Sequence, residues 1–380
     1  MSKVISKIGL IFLTWVMLFA SCTEIYTPKI DSAAQVLVVD GLITNESGPF
    51  TIKLSKANLY NSTSTVISVT SAKLNISDNL NQTFTLTDNG NGNYITPDNF
   101  KPKTGNTYTL HIETVNGNIY ESKPQELVTP QSYDSIYGIH TYNQYIGLEN
   151  QLKTIMGSNI VLKLFKSVAA SDSFPLCRFS PTITVQYEYW EPSDSAWFWI
   201  HKCWKSIQLN DTENLTEDKS HSSNAYIPAH LLCFTPVLLE GYGMNEPTGL
   251  VDTHYYLRIN QYTINRDTYD FYTEANKQLT TTGKIFDPIT SQLKGNMSCI
   301  NNPTETVLGF FEVSSVTKSA VVIYQNLGSL TVNIIKVPYL NITDGEIEYK
   351  QVKHGETPVD KNGNILPDYV NITPDWWTHF

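Results

Sequence analysis

Short segments in which apolar and polar residues alternate recur along the chain, and residues that favour turns separate them. Successive side chains of a strand point to opposite faces, so a period of two predicts strands with one buried face. The strongest turn signals are DNGNGN at 88–93 and NGN at 116–118, because Asn and Gly adopt the backbone angles that tight hairpins need. This pattern predicts a mainly β fold.

The N-terminal strands lie close together, at the spacing of a two-sheet β fold. The candidates are residues 36–39, 50–57, 72–78, 83–88, 108–114 and 119–124. Short alternating strands about 8–12 residues apart are typical of an immunoglobulin-like or fibronectin-like β-sandwich. We therefore predict such a sandwich over residues 35–130, ending near Val128–Pro130, and expect a fragment of about residues 34–130 to fold alone.

A larger β-rich region is predicted over residues 131–380, and it contains one clear α-helix. The candidate strands are residues 160–167, 182–190, 197–204, 254–264, 306–315, 319–326 and 330–337. Asn265 and Asp267 can cap a helix. Tyr269, Tyr272 and Leu279 follow at intervals of three and seven residues, which places them on one face of a helix. The helix is predicted at about residues 267–280.

The N-terminus has the features of a bacterial lipoprotein signal. Two lysines precede the apolar residues 8–19, which are followed by Ala20 and Ser21 and then by Cys22. A basic, apolar and small-residue order predicts an export signal, and a cysteine after the small pair indicates lipid attachment. We predict a signal peptide at 1–21, lipidation of Cys22, membrane anchoring by that lipid and a tether at 22–34. The alternatives are an ordinary signal peptide followed by an incidental cysteine and an uncleaved membrane anchor.

Cysteine usage agrees with export from the cytoplasm. Besides Cys22 the chain contains Cys177, Cys203, Cys233 and Cys299. An even number of cysteines in an oxidising compartment predicts two disulfides, and three connectivities are possible. The chain lacks a C-x-x-C pair and histidines at the spacing of zinc ligands, so we expect no metal site.

Charge and motifs argue against nucleic-acid binding and against catalysis. The formal net charge is −10, whereas phosphate binding needs a basic surface. The sequence contains no G-x-S-x-G, H-E-x-x-H, P-loop or G-x-G-x-x-G motif. We therefore expect no nucleic-acid partner, no catalytic residues and no cofactor. Trp190, Trp197 and Trp199 lie in aromatic-rich segments and could stack against a ligand, although packing in a core is the alternative.

Residues 283–315, here called the hallmark segment, contain three spaced motifs. These are F-D-P at 286–288, K-G-N at 294–296 and N-P-x-E-x-V-x-G-F at 302–310. Together with residues 255–279 and the opening strand, the segment resembles an uncharacterised family of Bacteroidota outer-membrane lipoproteins, a domain of unknown function. Members are commonly encoded beside TonB-dependent receptors.

The resemblance implies an outer-membrane lipoprotein that serves such a receptor as an accessory or substrate-capturing partner. A free-standing module that binds glycans or peptides at the cell surface is the alternative. The family supplies no catalytic or ligand residues, and the face of the membrane is left open. Because Cys203 and Cys299 lie in the segments most similar to the family, the resemblance also favours the pairs Cys203–Cys299 and Cys177–Cys233. Local pairing and free thiols remain the alternatives.

Overall fold

The computed structural model describes most of the chain outside its two ends. The described residues are 35–57, 67–146, 150–165, 175–192, 198–209, 213–216, 226–236, 253–280, 293–326, 331–340 and 345–351. They form 21 strands and one α-helix, which confirms the mainly β fold. Within these residues, no helix is both long and apolar enough to cross a membrane.

Five of the first ten strands belong to a six-stranded sheet, and the other five form one end of a 12-stranded sheet. The ten strands are β1 (Val36–Thr44), β2 (Thr51–Ala57), β3 (Ile67–Ser68), β4 (Lys73–Asp78), β5 (Thr83–Thr85), β6 (Thr87–Asp88), β7 (Asn93–Ile95), β8 (Thr107–Glu113), β9 (Ile119–Ser122) and β10 (Gln125–Glu126). The predicted alternation is visible in β2, where Ile52 and Leu54 are buried and Thr51 and Lys53 are exposed. The two sheets enclose one apolar core, here called the first core.

The hairpin turn predicted at residues 88–93 is confirmed. Gly90, Asn91 and Gly92 all have positive φ angles, and the Asn93 N–H donates to the Gly90 carbonyl at 2.9 Å. The Asp88 carboxylate accepts hydrogen bonds from the N–H groups of Ser71 and Gly90 at 2.7 and 2.8 Å. These two donors hold the pKa of Asp88 below its usual value, because they stabilise the ionised form.

The rest of the chain adds eleven strands and a helix. They are β11 (Tyr133–Ile146), β12 (Leu152–Phe165), β13 (Cys177–Pro192), β14 (Phe198–Gln208), β15 (Asn214–Leu215), β16 (Tyr226–Pro236), β17 (Thr253–Thr263), α1 (Arg266–Thr280), β18 (Met297–Cys299), β19 (Val307–Asn326), β20 (Thr331–Val337) and β21 (Gly345–Gln351). The strands predicted at 306–315 and 319–326 form the single strand β19. The strands β11, β15, β16, β18 and β21 were not predicted.

Strand β19 belongs to both halves of the fold. Its first part pairs in parallel with β1, from Val307 opposite Leu37 to Ser314 opposite Thr44. Its second part pairs antiparallel with β17, beginning at Ser315 opposite Thr263. One sheet therefore runs without interruption in the order β21-β14-β13-β17-β19-β1-β2-β7-β6.

The predicted domain boundary near residue 130 does not divide the fold. Strand β18 pairs with β9 and extends the second sheet of the sandwich, while β19 extends the first. Side chains from these two strands complete the first core, among them Met297, Phe311 and Val313. Whether residues 34–130 fold alone stays a prediction; such a fragment lacks two strands that pair with it and part of its core.

A second core lies between the other strands. The sheet β11-β12-β16 contributes Ile160 and Leu162, and the long sheet contributes Phe179, Leu257 and Val321. All five side chains are buried. This core is here called the second core.

The predicted disulfides are not found among the described residues. Cys177 and Cys233 are buried free thiols in the second core, and Cys299 is a buried free thiol in the first core. Burial raises the pKa of the Cys177 thiol to about 11, since a thiolate would be poorly solvated there. The side chain of Cys203 and the whole of Cys22 lie outside the described residues.

The backbone also explains why Cys203 and Cys299 do not meet. Cys203 on β14 lies opposite Tyr187 of β13, two residues beyond Val185. Val185 pairs with Tyr255 of β17, and β17 pairs there with the end of β19 that contains Gln325. Cys203 is therefore near that end of β19. Cys299 belongs to β18, next to the beginning of β19. A rise of about 3.3 Å per residue separates these ends by tens of ångströms, whereas a disulfide needs Cα atoms within about 7 Å.

The contact between β1 and β19 can be tested at Gly309. Its φ angle is +85°, and an added Cβ would lie 1.9 Å from the Val39 carbonyl oxygen. We expect Gly309→Ala to lower the free energy of unfolding by at least about 3 kcal/mol in urea titrations, since strain and a backbone clash combine. Gly117 is the matched control, with the same φ of +85° and open space around its Cβ position. Gly117→Ala should cost about 1–2 kcal/mol; equal losses would contradict a close contact at Gly309.

Candidate functional site

Helix α1 begins where the sequence predicts, and its first turn is fixed to the sandwich. The Asn265 side chain accepts a hydrogen bond from the Thr268 N–H at 2.9 Å, which is the N-cap interaction. The same side chain donates to the Gln125 amide oxygen at 2.9 Å. The Tyr269 hydroxyl donates to the Thr216 carbonyl at 2.9 Å. The predicted helix at 267–280 is therefore confirmed, with a defined orientation against the strands.

A groove of about 570 Å³ lies between helix α1 and the hallmark segment, and it is here called the helix groove. Asp267, Asp270, Phe271 and Glu274 line one wall, since residues three, four and seven positions apart share a helix face. The other lining residues come from the hallmark segment, from β19 and from the turn after β9: Leu293, Lys294, Gly295, Asn296, Phe310 and Lys123.

The helix groove has an aromatic floor and two walls of opposite charge. The rings of Phe271 and Phe310 lie 4.6 Å apart between centroids, and Phe310 is buried. The acidic wall is partly neutralised, because Asp270 pairs with the Arg266 guanidinium at 3.0 Å. Lys123 and Lys294 are exposed on the other wall. The groove can therefore accept a small ligand that carries positive and negative charges at different points.

The K-G-N motif of the hallmark segment fixes the far wall of the helix groove. The buried Asn296 amide donates to the Phe311 carbonyl at 2.8 Å and accepts from the Phe311 N–H at 2.9 Å. A Cβ on Gly295 would lie 1.6 Å from the Gly309 carbonyl oxygen, so only glycine fits there. These contacts hold the backbone of Lys294 at the rim.

The N-P-x-E part of the hallmark segment is also structural. The Glu305 carboxylate accepts hydrogen bonds from the Tyr120 hydroxyl at 2.6 Å and from the Asn118 amide at 2.9 Å. Burial, and then the hydrogen bond to Glu305, raise the pKa of Tyr120 to about 12. The Asn301 amide donates to the Gly117 carbonyl at 2.9 Å. These contacts hold the loop before β19 against β9 and the turn that precedes it; Asp287 and Pro288 lie outside the described residues.

Sequence reasoning missed a buried ionic cluster that adjoins the helix groove. Arg178 on β13 donates from Nη2 to both Glu312 oxygens at 3.0 and 3.1 Å, and from Nη1 to Glu213 at 3.1 Å. Its guanidinium carbon lies 4.2 Å from the Tyr262 ring centroid and 4.9 Å from that of Tyr272. We call these five residues the Arg178 cluster. The one signal available was Glu312 itself, a charge within the apolar run FFEV at 310–313.

The Arg178 cluster attaches helix α1 to the strands through hydrogen bonds to a charged group. Burial would lower the pKa of Arg178, but the neighbouring acidic groups, Glu312 first among them, together outweigh burial and raise the pKa. Burial, followed by the Glu312 charge, raises the pKa of Tyr272, so its hydroxyl stays neutral. That hydroxyl donates to Glu312 at 2.6 Å. Since Tyr272 follows Phe271 in the helix, the cluster also positions the aromatic floor of the helix groove.

The predicted aromatic platform lies largely outside the described residues. The backbones of Trp190 and Trp199 lie in the β13–β14 hairpin, but their side chains and all of Trp197 lie outside the described residues. Among the described residues, no group of three or more His, Cys, Asp or Glu side chains could hold a metal ion.

Comparison with known proteins gives a family but no function. The profile of a family described as a domain of unknown function (DUF4249) matches residues 23–320, which include the helix groove and the Arg178 cluster. No curated protein matches the chain. No solved structure matches it either. The expectation of a family without an assigned function is confirmed, whereas its bacterial source and its receptor partnership stay predictions.

The Arg178 cluster can be tested with Glu312→Gln, which removes the main carboxylate and leaves Arg178 buried. We expect the free energy of unfolding to fall by about 3 kcal/mol, since breaking a buried pair leaves an uncompensated charge. The control is Glu113→Gln on β8, whose pair with Lys73 at 3.4 Å is exposed. The control should cost less than about 1 kcal/mol. Equal losses in urea titrations would show that the Arg178 cluster does not stabilise the fold.

Proposed function

Since the chain belongs to the DUF4249 family, we propose that it is an outer-membrane lipoprotein that captures a ligand for a TonB-dependent receptor. The observation that supports capture is the helix groove, whose volume of about 570 Å³ lies within the usual range of small-ligand sites. Lipidation of Cys22 would hold the body at the membrane. The proposed partnership with a receptor rests on the resemblance of the hallmark segment to the lipoprotein family whose members are encoded beside TonB-dependent receptors.

The charges of the helix groove favour a short peptide over a neutral glycan. A short peptide carries an ammonium group at one end and a carboxylate at the other, separated by about 3.3–3.6 Å per residue when the chain is extended. Asp267 and Glu274 on one wall and Lys123 and Lys294 on the other complement such a charge pattern. Glycan sites usually offer an open aromatic face for stacking. Here Phe310 is buried and packs on Phe271.

The described lining of the helix groove supports binding. Five of its ten described residues are charged and can pair with a charged ligand, and none of the ten is Ser, Thr, Cys or His. The tight packing of Gly295 against Gly309 gives the far wall little freedom. A rigid site suits capture, because little order has to be created when the ligand binds.

Peptide capture predicts that the charged walls determine affinity. The wild-type protein should retain members of a random tetrapeptide library with free termini, detected by mass spectrometry after size exclusion. We expect Lys294→Glu and Asp267→Lys each to weaken retention at least about tenfold, because each reverses the charge of one wall. Neutral oligosaccharides should not be retained.

The control for this experiment is Lys101→Glu, which reverses an exposed charge outside the helix groove. It should bind the library as wild type does. Retention of peptides that is equal in all three variants would place binding elsewhere. Retention of neutral oligosaccharides instead of peptides would favour the alternative of a glycan-binding module.

The receptor partnership predicts a stable complex in the membrane. Full-length protein with a C-terminal affinity tag, extracted from its own cells in mild detergent, should co-purify with a TonB-dependent receptor. The Cys22→Ala variant should lose labelling by an alkyne fatty acid and leave the membrane fraction. Equal fatty-acid labelling of both proteins would contradict lipidation at Cys22. A labelled wild type without a receptor would favour a free-standing module.

A further inference from the structure

A serine, a histidine and a glutamate are joined by hydrogen bonds on the outer face of the six-stranded sheet, and none of the three lines the helix groove. The Ser77 hydroxyl on β4 lies 2.8 Å from His111 Nε2 on β8. The other ring nitrogen, His111 Nδ1, lies 3.1 Å from Glu121 Oε2 on β9. This is the order of atoms in which serine hydrolases join their nucleophile, base and orienting carboxylate.

The sheet register produces this arrangement. His111 lies directly opposite Glu121, and Ser77 lies opposite Thr109, one diagonal step from His111. Cross-strand neighbours at these positions are within reach of a histidine side chain. Leu110 and Ile112, on either side of His111, are buried in the first core. The rigid sheet therefore holds all three side chains on its outer face.

The carboxylate determines which nitrogen of His111 carries the proton. An ionised Glu121 can only accept hydrogen bonds, so neutral His111 carries its proton on Nδ1 and presents a lone pair at Nε2. That lone pair accepts the Ser77 hydroxyl proton. Glu121 is thus a positioning residue, and His111 is placed as a general base for Ser77.

From this geometry we infer that Ser77 is an activated nucleophile. Esters with good leaving groups acylate its hydroxyl oxygen. Its oxygen forms a bond to the acyl carbon, the hydroxyl proton moves to His111 Nε2, and the leaving alkoxide or phenoxide takes that proton as the ester bond breaks. Strand β4 is paired with β5 and with β8, so its N–H groups serve the sheet and do not form an oxyanion hole. Unactivated esters and amides are therefore not substrates.

A fluorophosphonate tests the nucleophile directly. In the expected reaction the Ser77 oxygen bonds to phosphorus, fluoride leaves, and His111 takes the hydroxyl proton. The mature wild-type protein should gain one adduct, located at Ser77 by peptide mass spectrometry. Ser77→Ala should gain none, and His111→Gln should react about 100-fold more slowly. The same order should hold for release of p-nitrophenol from p-nitrophenyl acetate.

Two controls separate chemistry from folding. Ser298→Ala removes another exposed hydroxyl on the same face, whose oxygen lies 3.4 Å from the Glu121 carbonyl, and should react as wild type does. Glu121→Gln should slow labelling at an unchanged melting temperature and alter the ¹⁵N shifts of His111, because the tautomer is no longer fixed. No adduct at Ser77, or equal rates in wild type and His111→Gln, would overturn the inference. Neither result depends on the helix groove.

Discussion

The main-chain pairing of strand β19 connects the two halves of the described fold. Over residues 307–314 it hydrogen-bonds to β1, and over residues 315–325 it hydrogen-bonds to β17. Its side chains enter both cores, with Phe311 in the first and Val321 in the second. Backbone N–H and C=O groups that are removed from water must find hydrogen-bond partners. Strand β19 provides these partners to β1 in one half of the fold and to β17 in the other. The two cores are therefore joined within one sheet.

The Arg178 cluster lies where β19 passes from one partner strand to the other. Glu312 is opposite Leu42 of β1, and Ser315, three residues later, is opposite Thr263 of β17. A charge at such a position costs desolvation, which is offset here by a bidentate guanidinium and by the hydroxyls of Tyr272 and Ser314. The same contacts fix helix α1 and, through it, one wall of the helix groove. Stability and the shape of the site thus share one set of residues.

The hallmark segment has a structural role wherever it is described. The Asn296 side chain binds the backbone of β19, and Gly295 allows close contact between two backbones. Glu305 binds the side chain of Tyr120 on β9. None of these interactions needs a ligand. Lys294 is the exception, since its side chain is exposed at the rim of the helix groove. Repeated motifs in such a segment therefore report on assembly of the fold more than on chemistry. The charges of the helix groove are the better guide to ligand preference.

Local features were predictable from sequence, because they depend on residues a few positions apart. The alternation in β2, the turn at 88–93 and the Asn265 cap of helix α1 are all of this kind. The pairing of β1 with β19 and the contact of Arg178 with Glu312, which are 134 residues apart, were not predictable. Nor was the distance between the backbones of Cys203 and Cys299, which follows from the positions of whole strands. Sequence alone determined many of the strands, the turn at 88–93 and the helix of this protein, whereas the tertiary structure decided which of them meet, because distant partners are selected by packing and leave no local pattern.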